Sequence, residues 1–264
     1  MQEFPLVSVI MAEYNTNEGK LINSIKSILN QTYEYFEFII IDDCGKNDVE
    51  KIVNEFHDDR IKLLKNEKNM GLIYSLNRAI KEAKGKYIAR MDTDDFSYSD
   101  RLEKEVDFLE KNPQYTVVGT RADIFDGNKI YNNTKKYGEI NRKTILERVP
   151  FIHPTVMMRR EDILKIGGYP DYKRCEDYAL WINLFVQGYK GYVLNYIGIR
   201  YSLSIEDYTK RALNTRKDFF KLLKNEYVKL KPSKIQLIKK YIKTFIAGIA
   251  PYKLMFWYHS KKTE

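Results

Sequence analysis

At 264 residues, with 44% hydrophobic and 31% charged side chains, the chain has material for one full core and does not have the composition of a disordered polypeptide. A formal charge of +9, from 45 basic and 36 acidic side chains, favours anionic partners: nucleic acid, a phosphorylated substrate or an anionic membrane. Two cysteines, Cys44 and Cys175, make neither a disulfide framework nor a spaced zinc site, which suits a reducing cytoplasm.

The predicted elements alternate from the start. An apolar run over 7–11 reads as a strand, and Leu21, Ile22, Ile25, Ile28 and Leu29 then recur at helical spacing. A buried strand over 38–41 ends at Asp42-Asp43. Val49, Ile52, Val53 and Phe56 form a helical face, and 61–64 is a third strand. Gly71 precedes the stripe Leu72, Leu76, Ala79, Ile80 and Ala83, Lys84-Gly85-Lys86 closes that helix, and 87–91 is a fourth strand. This rhythm predicts parallel strands joined by right-handed crossovers, a nucleotide-binding type of architecture. No G-x-G-x-x-G stands at the first strand–helix junction and no G-x-x-x-x-G-K-[ST] occurs, which argues against dinucleotide oxidoreductases and P-loop enzymes.

Beyond a helix over 102–109 the pattern is mixed. Strands are expected over 116–119 and 122–125, then a hairpin turn at Asp126-Gly127-Asn128 and a strand over 129–131. Another strand covers 155–158, followed by a helix from Arg160 that stops at Gly167-Gly168. Cys175-Glu176-Asp177 opens a helical pattern over 178–185. From Asp207 the sequence is helical and basic. Ile235, Ile238, Ile242, Phe245, Ile246 and Ile249 form one stripe, Lys234, Lys239, Lys240 and Lys243 lie elsewhere, and Tyr252, Phe256, Trp257 and Tyr258 follow Pro251. Two readings stand for this tail: a helix lying in the surface of an anionic membrane, or an amphipathic helix packed on the domain. The expected division is a catalytic domain over 1–206 and a tail over 207–264. No apolar run is long enough to span a bilayer, and residues 1–5 lack the features of a signal peptide.

Asp92, Asp94 and Asp95 follow the fourth strand directly. Three carboxylates in four positions repel one another unless a cation or a set of donors neutralises them. Hard divalent ions such as Mg²⁺ or Mn²⁺ bridge such groups to substrate phosphates; an acidic turn and helix cap in water is the alternative. With Asp42-Asp43 and Glu176-Asp177, the pattern suggests carboxylates gathered at the carboxyl edge of a sheet, where open α/β sheets bind ligands.

Several segments together resemble glycosyltransferase family 2: the run from Val7 through Ala12, Glu13, Tyr14 and Asn15; Ser27 to Tyr33; Phe36 to Asp43; Asn69-Met70-Gly71 with Asn77-Arg78-Ala79; and Arg90-Met91-Asp92-Thr93-Asp94-Asp95. His153-Pro154-Thr155, Gly167-Gly168-Tyr169 and Glu176-Asp177 continue it, in order, from about residue 6 to 185. The resemblance implies a GT-A fold, α/β with a Rossmann-like nucleotide-binding half and a mixed central sheet, and an inverting, nucleotide-sugar-dependent enzyme. It implies that Ala12 and Tyr14 line the base pocket, with Tyr14 as an aromatic wall. Asp43 would accept from the base N3–H, or else act as a turn aspartate, and Asn69 and Arg90 fall on the nucleotide side. Asp92 and Asp94 would contact ribose and the metal, Mn²⁺ or Mg²⁺, with Asp95 sharing ligation; the division among them stays open.

Asp177 would be the general base, with Glu176 in that role if the register shifts by one; an acid placed for the helix dipole is the alternative. An in-line displacement at the anomeric carbon needs such a carboxylate on the acceptor side and a stabilised leaving diphosphate on the other. His153 either lines the site or is a satisfied loop histidine. Trp181 is either core or a sugar platform. The resemblance further implies a UDP-sugar donor of hexose type and a hydroxyl acceptor on a lipid-linked glycan. It implies work at the cytoplasmic face of a bacterial membrane for a capsule, O-antigen or lipooligosaccharide, without nucleic acid as a partner. Two departures are plain: Ile199-Arg200-Tyr201-Ser202-Leu203 offers no histidine, and the Gln-x-x-Arg-Trp motif of processive synthases is missing, so one sugar per encounter is expected. A sugar-1-phosphate nucleotidyltransferase would want a glycine-rich basic loop that 12–19 does not supply. A nucleic-acid-binding protein would explain the charge but lacks a motif.

Overall fold

Period-two alternation decides the layering. In β1 (Val7–Glu13), Val7, Val9 and Met11 join one hydrophobic cluster and Ile10 the other. In β2 (Phe36–Asp42), Phe38 and Ile40 go one way, Ile39 and Ile41 the other; in β4 (Tyr87–Arg90), Tyr87 and Ala89 oppose Ile88. Strands apolar on both faces must be covered on both faces. The computed structural model describes residues 5–203 and 216–251, together with Lys253 and Met255. With β3 (Ile61–Lys65), these strands run parallel in the order β3-β2-β1-β4, as the alternating pattern predicts. Helices α1 (Glu18–Leu29) and α2 (Val49–Asn54) cover one face, and α3 (Leu72–Glu82) covers the other.

The sheet then turns mixed. After β5 (Phe96–Ser97) and α4 (Arg101–Lys111) come β6 (Val117–Phe125), β7 (Ile130–Asn133), β8 (Gly138–Ile140) and α5 (Arg142–Glu147). They are followed by β9 (Val156–Arg159), α6 (Arg160–Lys165), α7 (Glu176–Val186) and β10 (Gly191–Ser202). β9 enters antiparallel between β4 and β6, and the sheet continues through β6 and β10 to β5. The strands expected over 116–119 and 122–125 are one continuous strand, β6. The long β10 was not anticipated: register shifts between Val193 and Ile197 and between Ile197 and Ile199 break its alternation. It is nonetheless the strand that returns the chain to the site.

The expected boundary after residue 206 falls within residues 204–215, which lie outside the described residues. α8 (Lys217–Asn225) and the 3₁₀ turn Tyr227–Leu230 belong to the main core: Leu222, Leu223, Tyr227 and Leu230 are buried in the same cluster as Tyr178 and Trp181. Tyr227 Oη donates to Leu146 O at 2.7 Å and Arg142 Nε to Leu230 O at 2.7 Å. α9 (Lys234–Ile249) starts from a capping box at Ser233 and Gln236. Its inner side sets Thr244 in a buried position, while Ile235, Ile238, Ile242, Phe245, Ile246 and Ile249 are each about half exposed or more. The apolar stripe thus faces away from the domain. Tyr252, Phe256, Trp257, Tyr258 and His259 lie outside the described residues. Among the described residues no helix is long and apolar enough to cross a membrane.

Candidate active site

The ends of β1 and β2 are stitched by buried carboxylates. Glu13 is buried; its Oε1 accepts from Thr16 N at 2.9 Å and Asn47 Nδ2 at 2.8 Å, and burial raises its pKa. Tyr14 beyond it is half exposed, free to present a ring face, and Ala12 is partly buried beside it. Asp43 is also buried. Its Oδ1 accepts from Asn66 Nδ2 at 2.6 Å and Met70 N at 2.8 Å, and its Oδ2 from Gly71 N at 2.8 Å. Gly71, at φ 86°, suits a backbone that a β-carbon would strain. Asp43 therefore first builds the loop that caps α3, leaving further acceptor capacity on Oδ2. Asn69, within that loop, is exposed.

At the end of β4, Arg90 is buried and forms an ion pair with Asp92. Its carbonyl accepts from Arg101 Nη2 at 2.8 Å; Arg101 is itself buried against Glu105, Nε to Oε2 3.1 Å. Ser24 Oγ donates to Asp92 O at 2.7 Å, and Lys20 Nζ lies 3.9 Å from Asp94 Oδ2. Asp95 turns inward: Oδ1 accepts from Ser202 N at 2.7 Å, pinning the end of β10, while Oδ2 is buried without a hydrogen-bond partner. Burial, then the Asp92 and Asp94 charges, hold the Asp95 carboxyl well above the usual carboxylate range.

α7 begins after Cys175 with no side-chain cap, so Glu176 and Asp177 sit where the helix dipole favours negative charge. Burial and then the neighbouring Asp177 push Glu176 up to about 7. Burial pushes Asp177 up to about 6, opposed by the Tyr178 N–H and by the Arg90 charge. Asp92, Asp94, Glu176 and Asp177 line one cleft of about 640 Å³. Two pairs of carboxylates, from β4 and from α7, thus face a shared space, with the buried cation of Arg90 acting on both.

Several of the expected residues are engaged within the fold. Arg90 has almost no exposed surface and stands as an internal counter-ion to Asp92. Asp95 does not line the cleft, because β10 claims one oxygen and burial the other. His153 is the satisfied histidine: Nε2 meets Tyr169 Oη at 2.7 Å, and burial and Arg90 hold its pKa well below the ordinary value. Trp181 is fully buried, edge-on to Phe151 at 5.0 Å, so no ring face is open to a sugar. The turn at Gly167-Gly168-Tyr169 is clamped by Asn77, Nδ2 to Tyr169 O 2.9 Å and Tyr169 N to Oδ1 2.8 Å. Lys173, Arg174 and Arg216 also line the cleft and were not singled out from the sequence. A basic pair directly before the acidic helix start was the available signal.

Among the described residues no group of three or more His, Cys, Asp or Glu side chains is arranged to hold a metal ion. The donor set still suits one. Mg²⁺-type ions are held by one or two carboxylates with substrate phosphates completing the shell, and Asp92 and Asp94 offer hard oxygens at the cleft. The orphaned Asp95 Oδ2 and the raised Asp95 carboxyl mark a locale short of positive charge.

The fold is of the GT-A type. Residues 8–167 match the model of glycosyl transferase family 2. The putative glycosyltransferase EpsE of Bacillus subtilis (strain 168) is 40% identical over 205 residues, covering 74% of this chain and 72% of that protein. An Escherichia coli relative, the UDP-Glc:alpha-D-GlcNAc-diphosphoundecaprenol beta-1,3-glucosyltransferase WfaP, is 32% identical over 199 residues, covering 74% of this chain and 76% of its own. Staphylococcus aureus TarS 1-349 in complex with UDP-GlcNAc shares the fold, with a TM-score of 0.73 at 18% identity over 91% of this chain and 72% of that one. The chain belongs to glycosyltransferase family 2. That membership sets aside the nucleotidyltransferase and the non-enzymatic nucleic-acid-binding readings.

Proposed function

We propose that the protein transfers a single hexose-type sugar, with inversion, from a UDP-sugar to a hydroxyl of a lipid-linked glycan in bacterial surface polysaccharide synthesis. The observation that carries the reading is the pairing of Asp92 and Asp94 with Glu176 and Asp177 across one cleft. Asp177, ionised at neutral pH yet raised enough to take a proton, removes the hydrogen of the attacking hydroxyl. Tyr14 and Asp43 face the base, Asp43 through its remaining acceptor capacity. Asp94, with Asp92, would hold the divalent ion, which when bound stabilises charge on the departing diphosphate. A relative whose name gives a UDP-sugar donor and a diphosphoundecaprenol acceptor supports the substrate classes. The test is release of UDP from a panel of UDP-sugars with and without Mn²⁺. No release from any of them would refute the donor assignment.

The outward stripe of α9 supports docking on an anionic membrane, where a lipid-linked acceptor is presented. At 3.6 residues per turn, its six large apolar residues share a face about 100° wide, with exposed Lys234, Lys239 and Lys243 along its rims. Each such lysine contributes about 1 kcal/mol near anionic lipid. Lys240 departs from the expected set: it lies over the Tyr178 ring at 4.7 Å, and burial lowers its pKa to about 8. Flotation with phosphatidylserine vesicles at low salt should be strong, should fall as salt contracts the Debye length, and should be lost in Ile242→Glu/Ile246→Glu. If that variant floats unchanged, or loses instead a dimer seen in free solution, the stripe does not serve the membrane.

A further inference from the structure

The cleft that holds the four carboxylates is also lined by cations. Lys173 and Arg174 lie in the turn before α7, and Arg216 stands just before α8; all three line the cleft. The turn is a built feature. Lys173 N–H donates to Asp218 Oδ2 at 3.0 Å, and Cys175 N–H donates to Tyr172 O at 3.1 Å. Arg174 is held at φ 64°, a left-handed conformation disfavoured for a side chain with a β-carbon and kept only where surrounding structure enforces it. Arg216 Nη2 donates to Ala247 O of α9 at 3.3 Å, so this cationic lining is joined to the helix whose apolar stripe faces outward.

A cleft lined both by carboxylates and by guanidinium and ammonium groups suits a ligand with two chemistries. A hydroxyl belongs by the carboxylates, and an anion by the cations. Guanidinium groups match phosphate geometry bidentately, and lysine adds a point charge. Lys173, Arg174 and Arg216 stand at the starts of α7 and α8, the first two a few residues before Asp177, whereas Tyr14 and Asp43 stand at the ends of β1 and β2.

We infer that Lys173, Arg174 and Arg216 form a binding site for the phosphate or diphosphate of the acceptor, seating its sugar hydroxyl towards Asp177. The inference rests on the lipid-linked acceptor proposed above and adds the group by which it is held. Because the donor also carries a diphosphate, the test separates the two sources.

The full chain with Mn²⁺ and saturating UDP is titrated calorimetrically with hexyl diphosphate, and separately with UDP alone. Lys173 and Arg174 are exposed, and asparagine tolerates the left-handed region, so Lys173→Gln/Arg174→Asn keeps the turn. That variant should bind hexyl diphosphate about tenfold or more weakly, while its UDP affinity changes by less than about twofold. Arg216→Gln should weaken hexyl diphosphate in the same direction. An equal loss of UDP affinity would assign these cations to the donor and overturn the inference. So would unchanged hexyl diphosphate binding in the variants, or none in the wild type. UDP release from UDP-sugars by the same preparations reports on the transferase reading separately, and the titration decides the role of the cations whichever way that measurement falls.

Discussion

Replacing Asp177 by asparagine isolates its proton chemistry, because the amide oxygen can still accept from Tyr178 N, a bond of 2.7 Å in the structure. What is lost is the basic oxygen and one charge beside Arg90. Turnover should fall by about 10² to 10³, the scale for a missing general base. The KM for donor should change by less than about threefold, since the proposed nucleobase pocket lies at the ends of β1 and β2. The pH profile supplies the sharper test. With Asp177 raised to about 6, the working form is the deprotonated one, so the rate rises with pH and levels off above the pKa. The ionised fraction falls from roughly 97% at pH 7.5 to roughly 9% at pH 5, a loss of about tenfold in kcat/KM on the acid side. Asp177→Asn should leave a low rate that is flat over the same range. Arg90 opposes the upward shift, so Arg90→Met should move the acid limb of the wild-type profile to higher pH. The assay is continuous detection of released UDP. If Asp177→Asn keeps more than half its activity and Glu176→Gln does not, the base is Glu176. If the acid limb survives in Asp177→Asn, neither the role nor the electrostatic argument holds.

Three further outcomes follow from the same geometry. Calorimetry should show UDP binding more tightly with Mn²⁺ than without, and Asp94→Ala should abolish that gain while leaving metal-free UDP affinity unchanged; equal affinity with and without metal in the wild type would count against Asp94. Asp43→Ala removes the acceptor of three hydrogen bonds from Asn66, Met70 and Gly71, and should lower unfolding stability by about 3 kcal/mol in urea titrations; a loss below about 1 kcal/mol would mean the loop is held by other contacts. Arg101→Met strands the fully buried Glu105 carboxylate and should cost about 3 kcal/mol; urea midpoints within experimental scatter of wild type would show that the pair contributes nothing net.

The parallel half of the fold was legible because its signals are local. Apolar runs over 7–11, 38–41 and 87–91 and the helical stripes between them carry their own periodicity, and short crossovers leave little topological choice. β10 was not legible, because its two register shifts interrupt the alternation on which a strand is recognised, and its partners β5, β6 and β8 lie far away in sequence. The tail was legible in pattern but not in the direction its stripe faces. Its stripe was visible, but whether Ile242 faced core or solvent depended on Tyr178 and Tyr227 already occupying Lys240 on the opposite side.

The polar residues of the site show where reading from sequence stops. Each of Arg90, Asp95 and His153 belongs to a residue type and position that could meet a nucleotide, a metal or a sugar. The fold engages them first: Arg90 with Asp92, Asp95 with the backbone of Ser202, His153 with Tyr169. Those partners stand 2, 107 and 16 residues away, so only the nearest was visible as a neighbour. The outcome is ordered by cost. A buried charge or imidazole without a partner is expensive, so the fold engages most interior groups internally, Asp95 Oδ2 being an exception, and the groups left to face the cleft are those at which strand and helix ends open outward. Asp92, Asp94, Glu176 and Asp177 meet that condition. Arg90 reaches the same result from behind, because its charge stabilises the ionised forms of both Glu176 and Asp177 while its own burial is compensated by Asp92. Two acidic pairs on one cleft are therefore tolerable before any ligand arrives, as the proposed transfer requires of a site that is to hold a leaving diphosphate and a working base.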